Sequence, residues 1–385
     1  MITLPINVYE ATQRRLATVF AEFDNIYISF SGGKDSGLLL NLCLQYMREH
    51  GIRKPVAVMH QDFEAQFSAT TEYVTLAMLD NSDLIAPYWL CLPMAVDNAA
   101  SQFAAYWYPW ERGKEAIWCR PMPDYPCVVN IHNQRFGWYR EGMHQADVYR
   151  AFGAWWRSQC GGGRTVGLIG IRAQESLNRW RAVCRAKHKL GNLSWTTRNE
   201  DDTYTAYPLY DWMAADVWTA NARFGYDYNR IYDLLHAAGI PPERMRVASP
   251  YSGAALSSLN LYRVIEPEMW TRLIGRVAGA NFAALYANSG ALGWQHIDLP
   301  PGHSWRSFVD FLLDTLPGDI RQIYEPRLAA ALADWRGARD DNMPLYKRMA
   351  VCILKNDTTC KSLAASKAKR QEGRRKRALQ QYADL

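Results

Sequence analysis

Ser31-Gly32-Gly33-Lys34-Asp35-Ser36 is the stretch whose residue types and spacing could do chemistry. Two glycines let backbone come close to a phosphate, and Lys34 adds a positive charge. The stretch sits between an apolar run, Ile26-Tyr27-Ile28-Ser29-Phe30, and a helical repeat of Leu39, Leu42, Cys43, Tyr46 and Met47. The run predicts a strand and the repeat predicts one face of a helix. A strand feeding a glycine turn feeding a helix is an anion site, because first-turn N–H groups are unpaired and the helix dipole is positive there. The turn is not a Walker A loop. Gly33-Lys34 as its Gly-Lys pair would need glycine at position 28 and Ser or Thr at 35, and these are Ile28 and Asp35.

A second polar cluster follows the apolar run Thr165–Ile171 and reads Gly170-Ile171-Arg172-Ala173-Gln174-Glu175-Ser176-Leu177-Asn178-Arg179-Trp180-Arg181. Backbone near Gly170 and Ile171 would read an adenine edge. Arg172, Arg179 and Arg181 would pair with phosphate or sulfate through bidentate contacts. Alternatively, Glu175 pairs with these arginines on a surface. A third cluster, His60-Gln61-Asp62-Phe63-Glu64, ends the apolar run Val56–Met59. Carboxylates at the carboxyl end of a parallel strand face the ligand crevice. Asp62 or Glu64 would hold magnesium or a ribose hydroxyl, or Asp62 would cap a helix.

The elements that must position these residues alternate. Helices are expected over 7–24, 67–79 and 145–159, and strands over 26–30, 56–59, 84–92 and 165–171. The rhythm predicts an α/β fold, with a doubly wound, mostly parallel sheet. Residues 97–144 break it, crowded with aromatics such as Trp107, Tyr108, Trp110, Trp118, Tyr125, Phe136, Trp138 and Tyr139, with Arg112, Lys114, Arg120 and Arg135 between them. This insertion would stack bases and hold phosphates, or form a satellite core. The expected domains are 1–240, nucleotide-binding, with the 97–144 insertion; 241–360, α-helical; and 361–385, a basic tail. The tail holds eight Lys/Arg and two Asp/Glu, which accounts for the whole net charge of +6. It would engage a nucleic acid or be a solvated end. No apolar run reaches a membrane span, no signal peptide is read, and none of the eight cysteines forms a Cys-x-x-Cys pair. A reduced, cytoplasmic protein with no membrane role is expected.

The SGGKDS turn resembles the PP-loop of the N-type ATP pyrophosphatases. With the blocks Gly170–Arg179, Pro208-Leu209-Tyr210-Asp211-Trp212 and Tyr228-Asn229-Arg230-Ile231-Tyr232-Asp233, the chain resembles the phosphoadenosine phosphosulfate (PAPS) reductase family of the adenine nucleotide α-hydrolase-like fold. Asn7–Ala11, Tyr27–Ser36, Asp62–Gln66 and Ile353-Leu354-Lys355-Asn356-Asp357 with Cys360-Lys361 resemble its IbrA-type group, co-activators of prophage-borne gene expression. The resemblance implies ATP, or a related nucleotide such as PAPS, with Mg2+, cleavage of ATP to AMP and pyrophosphate, and a ParB-like IbrB-type partner. It makes Lys34, Asp35, Arg172 and Arg179 the catalytic candidates. Ser29, Phe30, Ser31, Gly32, Gly33, Lys34, Asp35, Ser36, Asp62, Gly170, Ile171 and Glu175 are the nucleotide-binding candidates, and Asp62 the metal ligand. Two alternatives stay open. One is a sulfonucleotide reductase with Cys360 as its thiol, although the Glu-Cys-Gly-Leu-His setting is missing. The other is a non-catalytic, nucleotide-dependent DNA-binding co-activator.

Overall fold

The computed structural model describes residues 6–363 apart from 102–103, 185–188, 192, 200–201, 254, 281–282, 284–298, 336, 338–339 and 361–362. The expected basic tail therefore lies outside the described residues, save Leu363. The chain forms two compact units: Met1–Val96 with Tyr108–Ser249, and Asp97–Trp107 with Pro250–Leu385.

The first unit is built on a seven-stranded sheet. In chain order the strands are β1 (Asn25–Ser29), β2 (Val56–Gln61), β3 (Ile85–Cys91), β4 (Val128–Asn130), β5 (Thr165–Ile169), β6 (Thr196–Arg198) and β7 (Thr203–Ala206). Their order across the sheet is β4-β3-β2-β1-β5-β7-β6. Every pairing is parallel except β6 with β7. After β1 the chain moves outward through β2 and β3, and β5 then starts the other half. The order therefore reverses at the β1–β5 pair, whose register ends at Ser29 opposite Ile169. A crevice at the carboxyl ends of the strands opens at such a reversal.

Burial explains the sheet. All six residues of β2 are buried, as a strand covered on both faces requires. In β1, Ile26 and Ile28 join a core with α2 (Lys34–Glu49), while Tyr27 points the other way, onto Phe152 of α4 (Gln145–Gln159). The helix α2 exceeds its expected single apolar face. Leu38, Leu40 and Leu44 are buried beside Leu39 and Leu42, so it is an interior helix. Pro87 is tolerated in β3 because β4 pairs only with Trp89–Cys91, leaving Pro87 a single neighbour strand.

The expected insertion 97–144 is divided. Residues 108–144 stay with the sheet unit and supply its edge strand β4, while residues 97–107 group with the second unit. Asn356 explains that grouping, since its side-chain amide donates to the backbone carbonyls of Asn98 (3.1 Å) and Ser101. The second unit is helical and includes α8 (Tyr262–Ile265), α9 (Pro267–Arg276), α10 (Trp305–Asp314), α11 (Gly318–Ala333) and α12 (Pro344–Leu354). Val309, Leu312, Ile320, Tyr324, Leu328, Met349 and Cys352 form its core. Among the described residues, no helix is long and apolar enough to cross a membrane.

Gly167 in β5 makes room for the Tyr27 ring. A Cβ there would lie 2.4 Å from the ring's Cζ, inside the chain's central strand pair. Gly167→Ala should therefore destabilise the protein by about 1–3 kcal/mol through overpacking, read as a lower urea midpoint. An unchanged midpoint would mean that the sheet and α4 yield freely.

Candidate functional site

The turn after β1 is held in shape from several directions. Gly32 has φ +74, and a Cβ there would lie 2.9 Å from Val74, so glycine is required twice over. Ser31 and Ser36 hydroxyls lie 3.0 Å apart, and Ser36 Oγ donates to Gly33 O at 3.0 Å. Gly33 N–H donates to Ser31 Oγ at 3.3 Å, and Gly33 is the N-cap of α2. Phe30 N–H donates to Met59 O, tying the turn's entry to β2. Asn229 donates to Gly32 O and to Thr70 Oγ1, each at 2.9 Å. The Tyr232 hydroxyl accepts from Lys34 N–H at 2.9 Å. Asn229 and Tyr232 precede and begin α7 (Ile231–Ala237) and so bring the 228–233 block onto the turn.

The polar block after β5 lies against the same turn. A Cβ on Gly170 would stand 2.7 Å from Asp35 O, so its backbone passes directly over the first turn of α2. Ile171 N–H closes back onto Ile169 O at 2.8 Å, which turns the chain out of the strand. Arg172 is buried, and its Nε donates to Asp35 Oδ1 at 2.6 Å. Its guanidinium also lies 3.6 Å from Glu175, which in turn pairs with Arg179. Lys34 Nζ lies 3.5 Å from Asp35 Oδ2 and donates to Met245 O at 3.0 Å. The five groups form one chain of alternating charge: Lys34, Asp35, Arg172, Glu175, Arg179. Burial pushes the Lys34 ammonium below its usual range, with Asp35 opposing and Arg172 adding to the shift. Burial likewise lowers Arg179, which feels Asp35, Arg246 and Arg172. The structure thus brings together the turn, Gly170, Arg172, Glu175 and Arg179. It turns Lys34 inward, where it is 2% exposed.

Asp62 departs from expectation. It is fully buried, and Oδ2 accepts from Trp89 Nε1 at 2.6 Å and from Arg120 at 2.5 Å, while Oδ1 accepts from Glu64 N–H at 2.8 Å. With Cys91 Sγ at 3.8 Å from Oδ2, four protein donors occupy the carboxylate, so it does not fit a magnesium ligand. Among the described residues, no group of three His, Cys, Asp or Glu side chains could hold a metal. Glu64, at φ +61, is also turned inward, and it accepts from Trp110 N–H at 2.7 Å and Cys119 N–H at 2.8 Å. Both carboxylates anchor the aromatic segment. Trp110 and Cys119 are buried by it, Arg120 stacks 5.0 Å from the Trp110 ring, and Trp118 packs edge-on at 5.1 Å. These rings form a satellite core rather than a row of free stacking faces.

Cys360 lies in the second unit's helical core and is 7% exposed. A hydrogen bond with Cys352 lowers its pKa. Accepting a sulfo group needs an exposed thiolate, which this packing does not offer. Tyr232, Asn229 and Arg246 are the site residues that local reasoning missed. The Tyr-Asn-x-x-Tyr-Asp block signalled the first two without giving them a role; nothing near Arg246 signals it.

The network at Asp62 makes a test. Burial alone would raise its pKa, but Arg120, His60 and the Trp89 N–H together hold it below the usual carboxylate range. A depressed carboxyl stabilises above its unfolded pKa of roughly 3.9, and the contribution is lost as pH falls below that value. Asp62→Asn leaves Arg120 buried without its partner. It should cost about 3–5 kcal/mol at neutral pH, with the gap from the parent protein narrowing below about pH 4. Urea titrations across pH read this directly; a gap that is constant with pH would refute it.

The family model described as a domain of unknown function (DUF3440) matches residues 239–342 and 338–374. Among solved structures, the chain is similar to phosphoadenylyl-sulfate (PAPS) reductase from Candida auris. Identity is 14%, 66% of this chain and 98% of that one are covered, and the TM-score is 0.34. It is also similar to FMN adenylyltransferase from Candida glabrata in complex with FAD and inorganic pyrophosphate, at 13% identity, 58% of each chain and TM-score 0.35. The chain is 31% identical over 388 residues to the uncharacterized protein YbdN of Escherichia coli (strain K12), covering 96% of this chain and 93% of that protein. At that identity over nearly the full length of both proteins, the chain belongs to the YbdN family.

Proposed function

We propose that the first unit binds an adenine nucleotide by its phosphates at the β1–α2 turn and splits ATP between the α- and β-phosphates, transferring adenylate to an acceptor. The observation that carries this reading is the meeting of two polar blocks, 31–36 and 170–179, where the strand order reverses. The backbone of Ser31–Ser36 and the positive end of α2 would face the phosphate chain. Arg172 and Arg179 would receive the charge that builds up on pyrophosphate as an acceptor oxygen bonds to the α-phosphorus. Gly170 and Ile171 would border the adenine. Asp62 would take no part in this chemistry, because Trp89, Arg120 and Glu64 N–H already engage it.

A second reading has its own support. Lys34 N–H and Nζ are both bonded within the chain, to Tyr232 and Met245. That arrangement suits a site that holds a nucleotide without turning it over, as a nucleotide-dependent regulator would. The IbrA-type resemblance would give such a regulator a role in gene expression, with a ParB-like partner protein and nucleic acid met through residues 361–385.

One assay separates the two. With ATP labelled at the α-phosphate, turnover yields labelled AMP and free pyrophosphate, and regulation returns intact ATP with the protein. Arg179→Gln should slow AMP release by about ten- to a hundredfold, the worth of one charged hydrogen bond. ADP as the labelled product, or no binding of ATP at all, would overturn the proposal.

A further inference from the structure

The site gathers four cations, Lys34, Arg172, Arg179 and Arg246, and the charges of Arg172 and Arg246 are each felt by Lys34 and by Arg179. Three of them have a carboxylate. Lys34 and Arg172 share Asp35, and Arg172 and Arg179 share Glu175. Arg246 differs. It is exposed, and its recorded contact is one hydrogen bond to the carbonyl of Glu175 at 3.3 Å. Among the described residues, it has no carboxylate partner. A guanidinium carries five N–H donors in a rigid fork, so most of this one is unspent.

The placement is enforced. Arg246 follows Met245, which is buried and whose carbonyl accepts from the Lys34 ammonium. Val247 stands next to the turn, its Cβ 3.7 Å from where a Cβ on Gly33 would be. Residues 245–247 are therefore docked on the phosphate turn, and Arg246 is held beside like charges that repel it. Two carboxylates against four cations leave an excess of two positive charges. That excess, reaching solvent at Arg246, favours an anion from outside the chain.

We propose that Arg246 binds a second anionic group of the ligand, an oxyanion beyond the phosphate held by the turn, and so makes the site select multiply charged nucleotides. This rests on the reading that the turn binds a nucleotide. The shared chemistry is a phosphate or sulfate oxyanion. It could sit on the polyphosphate chain or on the ribose, and the test distinguishes these.

Calorimetric affinities are measured for AMP, ATP and adenosine 3′,5′-bisphosphate, with the parent protein, Arg246→Gln and Arg246→Lys. Arg246→Gln should weaken ATP or the bisphosphate at least about tenfold while changing AMP less than about twofold, and Arg246→Lys should restore only part of the loss. A loss on ATP places the second anion on the phosphate chain; a loss on the bisphosphate places it on the ribose. Melting temperature should not fall, because the side chain is exposed and its removal relieves repulsion from Lys34 and Arg179. Equal losses on all three ligands, or no loss on any, would overturn the role of Arg246 and leave nucleotide binding standing. If the parent protein binds none of the three, the nucleotide reading falls and this inference falls with it.

Discussion

The alternating charges Lys34, Asp35, Arg172, Glu175 and Arg179 are the constraint on which the site depends. Buried ions are tolerated only when each finds a partner and its remaining donors are satisfied. Here one pairing, Asp35 with Arg172, joins two segments that the chain supplies separately: the start of α2 and the exit from β5. Asp35 cannot meet Arg172 unless β1 and β5 are neighbours in register, and Gly170 cannot pass over α2 if it carries a side chain. Sheet order, turn geometry and electrostatics therefore fix one another.

A second buried network does similar work one strand away. Asp62 and Glu64 hold the aromatic segment through Trp89, Trp110, Cys119 and Arg120. The two networks share a physical logic but differ in exposure. Asp62 is enclosed by protein donors, whereas the first network ends at the partly exposed Arg179 and the exposed Arg246. Charge that reaches solvent beside a glycine turn is available to a ligand. Charge sealed beneath tryptophans maintains shape.

The sequence made the central strands legible because β1, β2 and β5 are continuous apolar runs, and α2 and α4 carry clear helical spacing. The short strands β4, β6 and β7 escaped notice because three or four residues show no periodicity, and Val128-Val129-Asn130 follows a stretch crowded with proline. Within the site, the turn and the 170–179 block were legible from residue type. Asp62 was misread because a carboxylate at a strand end looks the same whether its donors come from a ligand or from a tryptophan and an arginine far along the chain. Tyr232 lies 198 residues from the Lys34 N–H it bonds, and Arg246 lies 71 residues from the Glu175 carbonyl it bonds, beyond the reach of any local pattern.

The tie from Asn356 to Asn98 and Ser101 bears on how the molecule can be assembled. The second unit is discontinuous: eleven residues borrowed from the middle of the first unit complete a fold whose remainder starts at Pro250. On a ribosome, that short excursion emerges long before the asparagine that receives it, so the carbonyls of Asn98 and Ser101 meet Asn356 only after 258 and 255 further residues, respectively, have been made. Cutting the gene at the boundaries of the matched domain would likewise leave Asn356 with no carbonyls to bond.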